Sequence, residues 1–387
     1  MESFDMAHKG FPRGLLRRPI EDRLTYFKNY TMAHPNLLEV SQRITDAVRD
    51  AEAPLIFLFG PTGVGKSTVL LRVSQKMTES LLLDLESDKG RIPIVGIEAM
   101  SPEFSNFNWK DFYLRSLHAL KEPFIGLSVA NYGDTTQKLR MSLERALEHR
   151  RPAMFYIDEA QNLGKVASGK KLQDQTDCIK SLANLCAVKF LLVGTYELLL
   201  LRNLSAQICR RTVDIHFPRY RAESPQDLMK FRSLLQTFQS HLPVEEACLV
   251  DSWDLCYERS LGCVGILKDW LTQTLASVLR QDSVVKTITL SDLERYAPPL
   301  DKCVVMIRKI CQEEKKLESP IGQRSELQIA LGLDVLRAKE EVVEEEVVEE
   351  EVVEEEVVKG TQAVKKPRAV GKPSAKRRPI GDGANAG

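Results

Sequence analysis

Nine consecutive residues, Gly60, Pro61, Thr62, Gly63, Val64, Gly65, Lys66, Ser67 and Thr68, carry the most recognisable chemistry in this sequence. They follow the apolar run Leu55–Phe59 and fit the spacing Gly-x-x-x-x-Gly-Lys-Ser/Thr. Glycines at those places let backbone N–H groups turn inward around an anion. Lys66 then reaches the outer phosphates of a nucleotide and Ser67 coordinates Mg²⁺. The helix that follows points its positive end at the charge. A second stretch, FYIDE, ends an apolar run in Asp158 and Glu159. A carboxylate at such a strand end holds Mg²⁺ through water, and the adjacent glutamate polarises the attacking water. Thr195 ends a third run, KFLLVGT, where a hydroxyl meets the γ-phosphate or that water. Arg210 and Arg211 stand where a helix gives way to the last strand. One of the two, unassigned, supplies charge to a neighbouring subunit's γ-phosphate.

These residues need a sheet to hold them. Short apolar runs at 55–59, 91–100, 154–157, 189–194 and 213–217 alternate with helical stretches. That pattern predicts an α/β fold, a parallel sheet with helices on both faces. Residues 21–51 read as mostly helical, with Leu37, Val40, Ile44 and Val48 as one buried stripe over the base. Trp109, Phe112, Leu117 and Leu120 read as core. From about Ser224 the pattern is wholly helical, at 225–240, 245–260, 264–280 and 291–296, a small lid domain. The expected organisation is a basic arm over 1–20, a nucleotide-binding domain over 21–222 and a helical lid over 223–300. A helical extension over 301–338 and a disordered tail over 339–387 complete it.

The tail begins with a five-residue repeat, EEVVEEEVVEEEVVEEEVV, over 340–358. Five residues advance a helix by about 140° beyond a full turn, so the Val pairs form no stripe. Its eleven glutamates repel one another, and disorder is expected. The basic end that follows leaves 339–387 with nine basic and twelve acidic residues, net −3. The whole chain has formal charge zero, so bulk electrostatics names no partner. Residues 1–20 carry Lys9, Arg13, Arg17 and Arg18 and read as a disordered arm. No apolar run approaches the ~20 residues that span a bilayer, and the N-terminus has no signal-peptide core. Eight cysteines without a C-x-x-C pair read as free thiols. A cytoplasmic protein with no membrane partner is expected.

In order, GPTGVGKST, FYIDEAQNL, LLVGTYELL and CRRTVDIHFPRY resemble the TnsC/TniB family of AAA+ ATPases that regulate DNA transposition. The resemblance covers roughly residues 30–280. It implies an AAA+ P-loop fold and an ATP-hydrolysing protein that assembles on double-stranded DNA as a ring or helical filament, of the hexamer or heptamer class. Such an assembly bridges transposase subunits and a target selector of the TniQ/TnsD type, with a CRISPR effector or a site-specific DNA binder both open. By position, Lys66 and Ser67 match the Walker A residues, Asp158 and Glu159 the Walker B pair, Thr195 the first sensor, and Arg210 or Arg211 the trans arginine. The lid departs from many AAA+ chains: the aligned sensing position is Gly265, with Lys268 a turn later. Family members bind the DNA backbone through groups facing the bore. Lys110, Arg140, Lys165, Lys170 and Lys171 are the candidates here. A replication-initiator or helicase-loader ATPase, and a nucleotide switch that uses no DNA, are the alternatives.

Overall fold

The computed structural model describes residues 10–102, 107–122, 135–165, 170–203, 209–281, 287–317 and 320–333. Lys9 and the repeat tail over 339–387 lie outside them. The chain divides into two units, Met1–Glu314 and Lys315–Gly387. The described part of the second is the last turn of one helix and a further helix, Pro320–Ala330.

The first unit is built on a five-stranded sheet: β1 (Leu55–Phe59), β2 (Ile94–Glu98), β3 (Met154–Asp158), β4 (Lys189–Gly194) and β5 (Thr212–His216), in the order β2-β3-β4-β1-β5. All pairings are parallel. Both faces are covered, so β1 is apolar and buried at every position instead of alternating. The register aligns Phe59 with Gly194 and His216, and Glu98 with Asp158. The phosphate loop, the Asp158–Glu159 pair and Thr195 therefore leave the sheet at one edge.

The single helical stretch expected over 21–51 is two helices, α1 (Ile20–Asn29) and α2 (Pro35–Asp50). Pro35 occupies the first turn of α2, where its missing N–H costs nothing, and the His34 side chain accepts the Leu37 N–H. Leu37, Val40 and Ile44 pack with β1 residues Ile56 and Leu58 and with Val69 and Val73 of α3 (Lys66–Ser80). Each buried side chain contributes roughly 1.5–3 kcal/mol. By contrast, Leu24 and Phe27 of α1 join the lid core. The buried Arg23 fixes α1 there, donating from Nε and Nη2 to the Pro243 carbonyl at 3.1 and 2.6 Å. The N-terminal segment thus belongs to both cores, and the link 30–34 crosses between them.

A short exposed helix, α4 (Leu82–Ser87), follows α3, and α5 (Trp109–Ala119), α6 (Thr136–Arg150), α7 (Lys170–Cys186) and α8 (Leu198–Arg202) complete the layers around the sheet. The lid comprises α9 (Pro225–His241), α10 (Trp253–Ser260), α11 (Val264–Gln281) and α12 (Leu290–Tyr296), with a short parallel pair, β6 (Glu246–Ala247) and β7 (Thr287–Ile288). Residues 245–252, expected to be helical, instead supply β6 and the turn leading into α10. α13 (Leu300–Leu317) follows; its Cys303 and Ile310 pack against Leu261. Part of the arm expected to be disordered is ordered: Arg13–Arg17 is a 3-10 turn, and the Phe11 N–H donates to Ser240 O at 3.1 Å. All eight cysteines are free. No described helix is long and apolar enough to cross a membrane.

Candidate functional site: a phosphate loop at one sheet edge

The loop leaves β1 at Gly60 and enters α3 at Lys66. Gly65, at φ 112°, occupies the N-cap without a side-chain cap, so the first N–H groups of a fifteen-residue helix remain available to an anion. Lys66 Nζ donates to the carbonyls of Gly60 at 3.0 Å and Pro61 at 2.8 Å, across the mouth of the loop. Burial lowers the Lys66 pKa, while the charges of Glu159 and Asp158 oppose that shift. Those two carboxylates therefore share the electrostatic neighbourhood of the lysine. Ser67 is exposed at the start of α3.

Asp158 Oδ1 accepts the Glu159 N–H at 2.9 Å. Glu159 adopts a left-handed conformation (φ 50°) that turns β3 sharply into the 3-10 helix Ala160–Gly164 and leaves its side chain exposed. Gln161 then ties two strands together. Its Nε2 donates to Glu159 Oε2, and its Oε1 accepts the Thr195 N–H at 3.2 Å. Gly194 makes room for it: a Cβ there would lie 2.2 Å from Gln161 Oε1. The buried amide orients Glu159 from behind, a role its place in DEAQNL did not disclose. Thr195 Oγ1 is buried with no hydrogen-bond partner among the described residues. A buried hydroxyl left unpaired costs about 1–3 kcal/mol, which a phosphate oxygen or ordered water beside it would recover. Paired carboxylates near Lys66, helix N–H groups without a side-chain cap and this hydroxyl fit a triphosphate with Mg²⁺, which Ser67 and Asp158 would hold.

On one flank of the loop lies a cavity of about 110 Å³, lined by Tyr30, Met32, His34, Val64, Phe238 and Lys268, among others. It sits where the 30–34 link, the loop and the lid meet. The lid closes on it through glycines. Gly265 and Ile266 donate their N–H groups to Gly63 O at 2.7 and 3.3 Å, and a Cβ on Gly265 would lie 2.5 Å from that oxygen. The absent side chain is what allows the approach. Lys268 lines this cavity, its ammonium donating to the Phe27 carbonyl and lying 3.5 Å from the Phe27 ring centroid. Burial lowers its pKa to about 7.

The other flank is covered by α13. A cavity of about 160 Å³ lies between Pro61, Thr62 and Thr195 on one side and Met306 and Ile310 on the other. Lys309 pairs with Glu197 at 2.6 Å. Next to it the buried Glu314 accepts from Arg219 through both carboxylate oxygens at 3.2 Å, and from Arg221 at 3.3 Å.

Arg210 and Arg211 are exposed at the N-terminal end of β5, the sheet edge opposite the loop. Five residues of strand separate the edges by roughly 17 Å, so neither side chain belongs to its own chain's site. Arg140 is only partly buried, but its guanidinium is tied into the fold. It donates to Glu144 at 2.9 Å and to Ser181 Oγ at 2.9 Å, joining α6 to α7. Lys165 is exposed, Lys110 half-buried, and Lys170 and Lys171 begin α7.

Residues 49–201 match a family model described as an AAA domain. A comparison with curated proteins finds no match. Among solved structures, the Aeropyrum pernix ORC1 protein in complex with DNA is 17% identical, covering 75% of this chain and 70% of that one, with a TM-score of 0.50. The Aeropyrum pernix ORC2 protein in its ADPNP-ADP complexes is 14% identical over 70% of each chain, TM-score 0.47. Domain III of the replication initiation protein DnaA from Thermotoga maritima is 11% identical, covering 73% and 95%, TM-score 0.36. The parallel sheet in this strand order, its phosphate loop and the helical region that follows are the AAA+ P-loop NTPase fold, and residues 49–201 are the part that matches the AAA domain model.

Proposed function

We propose that this protein hydrolyses ATP at a site completed by a second copy, and that ATP-bound copies assemble on double-stranded DNA as a ring or helical filament. One observation carries the reading: Lys66, Asp158, Glu159 and the unpaired Thr195 hydroxyl share one sheet edge, while Arg210 and Arg211 are exposed on the other. In this reading Glu159, held by Gln161, takes a proton from the attacking water. Thr195 orients that water or the γ-phosphate, and Lys66 neutralises developing charge. When bound, Mg²⁺ supplies charge neutralisation on the phosphate oxygens, with Ser67 and Asp158 holding it.

Two observations bear on what the assembly serves. The four motifs in order resemble regulators of transposition, which favours a platform between a target selector and transposase subunits. The likeness to ORC1, a protein solved in complex with DNA, accommodates a replication-initiator or helicase-loader role equally well. Both require DNA. Lys110 and Lys165, and Lys170 and Lys171 by position, remain the DNA-facing candidates; Arg140 is set aside because its guanidinium is committed within the fold. Electron microscopy and sedimentation of the protein with duplex DNA and a nonhydrolysable ATP analogue test the proposal. Oligomers on DNA that Lys66→Ala abolishes, and that salt weakens steeply through counterion release, are expected. Identical behaviour of Lys66→Ala, or no oligomer at all, would contradict it. DNA-stimulated assembly with the transposase, but not with replication proteins, would decide between the two roles.

A further inference from the structure

His34 is a polar side chain 4% exposed, at the N-cap of α2, in the wall of the cavity beside the phosphate loop. Its hydrogen bonds fix where its proton sits. Nδ1 lies 2.9 Å from the Tyr220 hydroxyl and accepts the Leu37 N–H at 3.4 Å. A nitrogen that accepts a backbone N–H carries a lone pair, not a proton. With a lone pair on Nδ1, the Tyr220 hydroxyl is the donor of the 2.9 Å bond. Burial lowers the His34 pKa to about 4, so the ring is neutral near pH 7. A neutral imidazole has one N–H, and here it is on Nε2.

That N–H has no partner among the described residues. Nor is it among the fully buried unpaired atoms. It therefore reaches open space, and the open space against this buried ring is the cavity it lines. The ring cannot easily turn away, because Tyr220 holds one edge and Phe217 lies against its face, centroids 6.2 Å apart at 23°. Met32, Leu37, Val64, Phe238 and Val264 make the remaining walls largely apolar. The Lys268 ammonium is already committed to the Phe27 carbonyl and ring. A largely apolar slot with an oriented imidazole donor suits an aromatic base bearing a ring-nitrogen acceptor.

We infer that His34 is a specificity-determining residue for the nucleotide, donating its Nε2–H to a ring nitrogen of a purine base, with Tyr220 as the residue that fixes the tautomer. The inference rests on the reading that the phosphate loop binds a nucleoside triphosphate. It adds which side chain inspects the base and through which atom.

Direct binding of ATP and of its 1-deaza, 3-deaza and 7-deaza analogues to the full-length protein, with hydrolysis blocked by omitting Mg²⁺, tests it. Each analogue replaces one ring nitrogen by C–H. The wild type should bind one of the three roughly three- to tenfold more weakly than ATP. His34→Asn keeps a cap for the Leu37 N–H but is too short to reach the base. It should bind ATP about as weakly as the wild type binds that analogue, and should no longer distinguish the set. Tyr220→Phe should lose part of the discrimination, which a purely structural role for the hydroxyl would not affect. Equal binding of all analogues by the wild type, or discrimination surviving in His34→Asn, overturns the inference alone. Failure of the wild type to bind ATP overturns the nucleotide reading and the inference with it. If His34→Asn does not fold, as thermal unfolding would show, the wild-type panel and Tyr220→Phe decide.

Discussion

The two ends of the sheet are built to opposite rules. At the C-terminal end, polar groups hold one another: Asp158 takes the Glu159 N–H, and Gln161 joins Glu159 to the Thr195 backbone. Glycines at 194 and 265 let neighbours approach that no Cβ would permit. At the N-terminal end, Arg210 and Arg211 are exposed. One end gathers linked polar groups around the phosphate loop, and the other carries two exposed arginines. That contrast is expected of a chain whose own copies must meet before the site is complete, because transition-state charge is best met by a cation arriving with assembly.

Substitutions can break the contrast at several depths. Lys66→Ala should have the largest effect, weakening ATP binding by about a hundredfold or more through lost charge-assisted contacts, as equilibrium binding would show. Glu159→Gln should leave ATP binding intact while lowering turnover about 10²- to 10⁴-fold, so single-turnover kinetics should separate the two residues. Stability should also depend on pH through His34. Its folded pKa of about 4 lies below the ordinary 6.5, so below pH 6.5 the unfolded chain binds a proton that the folded chain refuses. Stability is then lost as pH falls from 6.5 toward 4, by about 3 kcal/mol at the limit. Thermal unfolding of His34→Asn should show a flatter profile over that window. Gly265→Ala places a methyl against Gly63 O and should cost about 1–3 kcal/mol, with weaker nucleotide binding. Thr195→Val should be mildest for the fold, since it removes an unpaired hydroxyl with little change in shape. Melting should hold or rise slightly while turnover drops about tenfold.

Much of the sheet, and the edge that gathers the candidate site, was legible in the sequence, for a physical reason. Parallel strands buried on both faces are continuous apolar runs, so LIFLF, MFYI and KFLLVG announce themselves, and the residues after them lie at one edge. The rest depended on packing that spacing does not encode. Leu24, Phe27, Leu37 and Val40 all have helical periodicity, yet the first two face the lid and the last two the sheet. Residues 245–252 have acidic and apolar residues compatible with helix, but Glu246–Ala247 pair with Thr287–Ile288. Arg140 looks like any surface cation until Glu144 and Ser181 are seen around it. Gln161 and His34 work through tertiary partners, Thr195 and Tyr220, that lie 34 and 186 residues away in the chain. No local pattern could assign them.

The central claim, that one copy's arginine serves another copy's phosphate loop, is most directly tested by mixing two inactive proteins. Glu159→Gln lacks the base but keeps both arginines; Arg210→Ala with Arg211→Ala lacks the arginines but keeps the base. With ATP and duplex DNA, each should be inactive alone. Their equimolar mixture should recover a substantial fraction of wild-type hydrolysis, because mixed assemblies contain junctions with an intact base on one side and intact arginines on the other. A mixture that co-assembles yet hydrolyses no faster than its parts would contradict a site shared between copies.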